Sequence, residues 1–287
     1  MLSLSQHSHI VKVLSAAGWT NQSGELHLII EMEYVPGGSL EDAIKKEISI
    51  GDTVKIIKNV LFALDHAHPD IIHRDVKPAN ILLGGGGKLS DFGIALLTTT
   101  GVSVSELQYV LNKAPECFGP SNTFSVATDI YAAGLTLLRT LNLVTDWKGT
   151  LLSTFGSASD VTARMRAGTL VAGLGFHPRV PSALTKIIKR ACATNPTKRY
   201  VTASAFRDAL EALKIARDWR RTTPEKWECE FQGKVEQLIV AKKTLAFEVT
   251  YTRNGRRKTE FTRSFADEDG ATKYVYEIIA ANTLAPT

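Results

Sequence analysis

Apolar residues recur along this chain at two spacings, and each spacing predicts a different kind of element. Residues 26–35, LHLIIEMEYV, form a short β-rich apolar run stopped by Pro-Gly-Gly, the pattern of a buried strand. From Gly51 to His68, Val54, Ile57, Leu61 and Leu64 fall at helical spacing, with Asp52 placed to cap the start. Residues 80–92 predict a tight hairpin turning at Gly84–Gly87, and 93–123, rich in Thr, Ser and Gly, a long loop. Residues 129–141, DIYAAGLTLLRTL, are apolar nearly all round and predict a central buried helix. Two amphipathic helices are expected at 182–194 and 202–214, separated by NPTKRY. The start is already apolar, with Leu2, Leu4, Ile10, Val11, Val13 and Leu14.

After ARDWRRTTPEKW (216–227) the period changes. Leu245, Phe247, Val249 and Tyr251 alternate as in a strand, and Asn254-Gly255 is a hairpin turn. Ser264 and Asp267 mark a helix start, with Ala271, Val275, Ile278, Ile279 and Asn282 on one face. A small unit with strands first and a helix last is expected here.

Composition narrows the class without naming it. The 287 residues are 44% apolar and 22% charged, enough for a sizeable core. A net charge of +5 with no long basic run makes nucleic acid an unlikely partner. Cys117, Cys192 and Cys229 are odd in number and far apart, against a disulfide framework or zinc site. No apolar run reaches the ~18 residues of a membrane span, and no signal peptide is evident, so the expected location is the cytoplasm.

The chemistry is concentrated in IIHRDVKPANILLGGGGKLSDFGIALL, residues 71–97. His73-Arg74-Asp75, Lys77, Asn80 and Asp91-Phe92-Gly93 together resemble the eukaryotic-type (Hanks-type) Ser/Thr protein kinases, in the order of their catalytic loop and metal-binding triplet. Phosphoryl transfer needs positioning and charge neutralisation. The resemblance implies Asp75 as acceptor of the hydroxyl proton, Lys77 as a contact to the transferring phosphate, and Asn80 and Asp91 as ligands of Mg²⁺ or Mn²⁺, which favour hard oxygen donors. A Lys two residues after the Asp is the Ser/Thr-kinase pattern. A phosphate-binding P-loop at the glycines is excluded: Leu89 stands where Ser or Thr is needed, and Leu82 at the first glycine's place.

Further stretches resemble the family in order. MEYVPGGSL implies a hinge, with Met32 at the back of the adenine pocket, the backbones of Glu33 and Val35 bonding adenine, Ser39 near the ribose and Leu82 beneath the ring of ATP. Ala114-Pro115-Glu116 closes an activation segment, and its Glu116 is expected to pair with Arg199 of NPTKRY. Asp129 is expected to tether the catalytic-loop backbone. Arg74 implies control by phosphorylation, with Thr98, Thr99, Thr100, Ser103 and Ser105 as candidate acceptors. One departure is Gln108-Tyr109, where the family usually has Gly-Thr. His7, His9, His66 and His68 read as structural residues, and Cys192 as core.

The expected fold is α+β, kinase-like: an incomplete N-lobe at 1–35, a mostly helical C-lobe at 36–214, a linker at 215–226 and a β-rich accessory domain at 227–287. The N-lobe is expected to be incomplete because only six residues precede His7, and no G-x-G-x-x-G, strand Lys or helix Glu appears in family order. This implies an active Ser/Thr kinase as parent, acting on protein hydroxyls, and a weak or inactive 287-residue chain. The alternative is a kinase-like binding or scaffold module. The accessory domain is a candidate for binding a partner, and no membrane association is expected.

Overall fold

The computed structural model describes residues 7–24, 26–92, 111–118 and 124–285. Its centre is two long helices, α2 (Ile50–Ala67) and α3 (Val126–Leu141), packed on each other. Leu61 and Leu64 of α2, and Ile130 and Leu137 of α3, are fully buried. α3 is buried on nearly every side, as its unbroken apolar run predicts. Ser49 caps α2 by accepting the amide of Asp52. Asp52, expected as the cap, lies in the first turn instead.

On this pair pack α1 (Leu40–Lys45), α7 (Ser182–Ala191) and α8 (Ala203–Glu211), while α4 (Trp147–Phe155), α5 (Ala158–Arg166) and α6 (Leu170–Leu174) pack on one another. Cys192 is core, its thiol pointing to the carbonyl of Tyr131. Burial pushes its pKa up to about 12, so it is an inert thiol.

At the N-terminal side β1 (Val13–Thr20) and β2 (Leu26–Met32) form a two-stranded antiparallel sheet. Leu14, Trp19, Ile29 and Met32 are exposed on it. The hairpin expected at 80–92 is present as β3 (Ile81–Leu82) and β4 (Lys88–Leu89), with Ile81 opposite Leu89. Gly85, Gly86 and Gly87 all have positive φ, a conformation that requires glycine in a turn this tight. The bridge from Ile10 to Leu89 ties the N-terminal segment to this hairpin.

The C-terminal part is a five-stranded antiparallel sheet in sequential order: β5 (Arg220–Thr223), β6 (Lys226–Phe231), β7 (Lys234–Lys242), β8 (Phe247–Arg253) and β9 (Arg256–Phe265). Helix α9 (Glu268–Asn282) follows and packs on β7, β8 and β9. Alternation puts Leu238 and Val240 of β7 and Val249 and Tyr251 of β8 in the core. Ala271, Val275, Ile278 and Ile279 of α9 are buried, the face the spacing predicts.

The stretch 215–226 differs from expectation: it is not a linker. Trp219 is buried, Arg220–Thr223 is the first strand, and Ile215 bridges to Leu284. Asp218 accepts from the hydroxyl of Ser49 and the amide of Gly51, at 3.0 and 2.8 Å. Any Cβ on Gly51 would sit 2.5 Å from the Asp218 carboxylate, so this approach needs glycine. Glu47, at φ +53, accepts from Arg221, from the indole of Trp227 and from the hydroxyl of Tyr276, all C-terminal residues. Arg179 is buried beneath, donating to the carbonyls of Leu141 and Ile48, and burial lowers its pKa to about 10. The C-terminal unit is therefore clamped onto the turn between α1 and α2.

Candidate active site

The turn after α2 leads directly into the candidate catalytic loop, and a single buried carboxylate shapes it. Asp129, fully buried in the first turn of α3, accepts the amides of His73 and Arg74, each at 2.8 Å, one on each oxygen. His68, at the end of α2, adds a ring nitrogen 3.1 Å from the same carboxylate. These contacts hold Arg74 at φ +70, a left-handed backbone that a non-glycine residue rarely adopts without such anchors.

His73 faces the core and links two loops. One ring nitrogen, Nε2, lies 2.9 Å from the carbonyl of Ser90. A carbonyl only accepts, so Nε2 carries the proton, and Nδ1 accepts the amide of Asp75 at 3.2 Å. Phe92 packs edge-on against the ring, 4.5 Å between centroids. The loop bearing Asp75 and the loop bearing Asp91 are thus joined through one imidazole.

Asp75 is 1% exposed. Its Oδ2 accepts from Lys77 Nζ at 2.5 Å and from Asn80 Nδ2 at 2.8 Å. Asn80 Nδ2 also reaches the Asp75 carbonyl at 2.9 Å, closing the loop on itself. Both bonds fall on Oδ2, so Oδ1 faces no donor among the described residues. Asp91 lies past β4, exposed and at φ +66.

Among the described residues, no group of three or more His, Cys, Asp or Glu could hold a metal ion. The expected pair, Asn80 and Asp91, is a two-oxygen set once the Asn80 amide nitrogen is bonded to Asp75. That suits Mg²⁺, which keeps several waters and takes one or two protein oxygens.

The residues expected at a hinge begin at the end of β2. Glu33 donates its amide to Lys12, and its side chain accepts from the Lys12 amide and from Lys88. The Lys88 hydrogen bond leads the contacts that lower the Glu33 pKa. Val35 is buried, Met32 half-exposed, and Leu82 bridges to Ser39. The Ser39 hydroxyl, expected near the ribose, is engaged in a capping box with Asp42 at the start of α1. Lys45 and Ser39 hold the Asp42 pKa down to about 2.

Arg199 and Glu116 meet as a bidentate pair at 2.6 and 2.8 Å. Arg199 is 1% exposed, lies over the Tyr131 ring and also donates to the carbonyls of Ala193 and Ala127. It ties residues 111–118 to α3. Gly93, Thr98, Thr99, Thr100, Ser103, Ser105, Gln108 and Tyr109 lie outside the described residues.

The sequence reading passed over a cavity beside Lys77 that includes Glu41, Arg139, Trp147 and Lys148. Its signal was present: Arg139 is a charge inside an otherwise apolar helix, and such a residue is buried only with a partner.

Comparison with known proteins agrees with this geometry. Residues 1–210 match the model of the protein kinase domain. Serine/threonine-protein kinase PknJ of Mycobacterium tuberculosis is 34% identical over 231 residues, covering 72% of this chain and 35% of that protein. PknE of M. tuberculosis is 31% identical, covering 76% of this chain and 38% of that protein. The probable serine/threonine-protein kinase PknB of Lactococcus lactis is 30% identical, covering 68% and 30%. The chain thus spans about a third of the length of these relatives. No helix among the described residues is long and apolar enough to cross a membrane. With the catalytic-loop geometry and a domain match over most of its length, the chain belongs to the protein kinase domain family.

Proposed function

We propose that this chain carries the catalytic region of a serine/threonine protein kinase, transferring the γ-phosphate of ATP to Ser or Thr hydroxyls of a protein. The observation that carries this reading is the buried Asp75, with Lys77 and Asn80 both on its Oδ2. Oδ1 is left to take the proton of the acceptor hydroxyl. Lys77, already 2.5 Å from that carboxylate, neutralises charge on the phosphate being moved. Asn80 and Asp91 would hold Mg²⁺, which would supply positive charge against the phosphate being transferred.

Met32, Glu33, Val35 and Leu82 would line the adenine site. The amide of Glu33 is already bonded to Lys12, so its carbonyl is the group offered to the base. Phe92, packed on His73, would position Asp91. Arg74, beside Asp75 and over the Phe124 ring, would answer to phosphate on Thr98, Thr99 or Thr100. Asp129, Glu116 and Arg199 hold the loops in place. On this reading the hinge near residue 35 separates the N-terminal sheet from the helical lobe, and the C-terminal unit is an accessory domain.

The test is phosphate transfer from labelled ATP to a Thr peptide with Mg²⁺ present. Asp75→Asn should abolish it; transfer retained at the original rate refutes the role of Asp75. The second reading is a kinase-like scaffold. Calorimetry separates the two, since a scaffold would bind its protein partner without ATP and Mg²⁺.

A further inference from the structure

The cavity beside Lys77 has no role in the chemistry above. It holds about 270 Å³, below the ~300–1,000 Å³ usual for small-molecule pockets, but ample for one side chain. Lys77 forms part of its wall, and the ammonium of Lys77 touches Asp75. A group inside it is thus one side chain away from the candidate catalytic carboxylate. Leu111, Ala79 and Trp147 give the cavity an apolar surface.

Its charges decide what it accepts. Three cations line it, Lys77, Arg139 and Lys148, against two anions, Glu41 and Asp146. Arg139 is 6% exposed and immobilised: it pairs with Glu41, donates to the Val144 carbonyl at 3.3 Å and lies over the Trp147 ring. Asp146 caps α4, accepting the Gly149 amide at 2.9 Å. Lys77 faces Asp75. Only Lys148 is left with no ion-pair partner among the described residues, and it is exposed. A lysine in the first turn of a helix opposes the helix dipole, so α4 gains nothing from it.

We propose that this cavity receives an acidic side chain of the protein substrate, flanking the acceptor Ser or Thr, and that Lys148 is the residue that reads its charge. The proposal rests on the kinase reading for the identity of the ligand as a substrate. Glu41 is a built-in carboxylate of the cavity wall that offsets Arg139. Neutralising it raises the positive potential met by an incoming acid.

The test uses the full 287-residue chain and labelled Thr peptides that differ at one flanking position, carrying Glu, Gln or Lys. Binding is followed by fluorescence anisotropy at low salt, with phosphate transfer measured in parallel. At the position that enters the cavity, affinity should fall in the order Glu, Gln, Lys, with about fivefold between Glu and Gln. Lys148→Glu should reverse the order and Lys148→Arg should keep it. Glu41→Gln should tighten the Glu peptide, which a merely structural residue would not do. An order unchanged by Lys148→Glu overturns the proposal, as does failure to bind any peptide. Equal transfer to all three peptides also overturns it, while leaving the kinase reading intact. Ordered binding without transfer keeps the cavity and removes the kinase reading.

Discussion

The two antiparallel sheets at either end of the chain make opposite use of the helical lobe between them. The N-terminal sheet has two strands and leaves Leu14, Trp19 and Ile29 exposed. The C-terminal sheet has five strands, covers one face with α9, and is fastened to the lobe through Glu47 and Asp218. Two strands alone are marginal in water, whereas a larger sheet with a helix on one face holds its own. Sheet stability here is therefore a matter of partners: the same pleated backbone is firm where its apolar face is covered and weak where it is open.

Mutations can break this contrast, and the largest effect falls at Trp227. It is 1% exposed, edge-on to Tyr276, and donates to Glu47. Trp227→Ala should cost about 3–5 kcal/mol in urea unfolding. A cost below 1 kcal/mol would mean the clamp does not govern stability. Next is Glu47→Ala, which strips the acceptor from Arg221, Trp227 and Tyr276 and should cost about 3 kcal/mol. Glu47→Gln, which keeps an acceptor oxygen, should recover part of that in the same assay.

A smaller effect concerns acid. Burial pulls the Asp52 pKa upward, but the Arg220 pair and the Ser49 contact outweigh it, leaving it below its ordinary 3.8. The stability this carboxylate contributes is therefore present above about pH 4 and lost as pH falls through the lowered pKa. Comparing urea midpoints at pH 7 and pH 3, the unsubstituted chain should lose more than Arg220→Ala, by less than about 1 kcal/mol for so exposed a pair. The smallest effect is expected at the other end. Trp19→Ala should change stability by no more than about 0.5 kcal/mol. A loss above 1 kcal/mol would show that the N-terminal sheet is covered after all.

Elements set by local pattern were legible in the sequence. Periodicity located α2 to within a residue or so, alternation located β8, and the glycines located the β3–β4 turn. The meeting of Asp75, Lys77 and Asn80 was legible as a motif, because these residues lie close together in the chain. What escaped was set by distant partners. Residues 215–226 read as a linker, yet Arg220–Thr223 within them form an edge strand whose place depends on Trp227 and on a turn some 170 residues earlier. The Lys77 cavity escaped for the same reason: Glu41 and Arg139 are separated by 98 positions. Ser39 was seen, but only its neighbour Asp42 reveals that the hydroxyl is engaged in capping.

Helix α2 gives the clamp a reach beyond stability. Its 18 residues make a rod of about 27 Å, gripped by Asp218 at one end and, through His68 and Asp129, joined to the catalytic loop at the other. A rod held at both ends transmits displacement instead of absorbing it. Force applied to the C-terminal sheet, by a tether or a pulling handle, is therefore delivered by leverage to the backbone of His73 and Arg74.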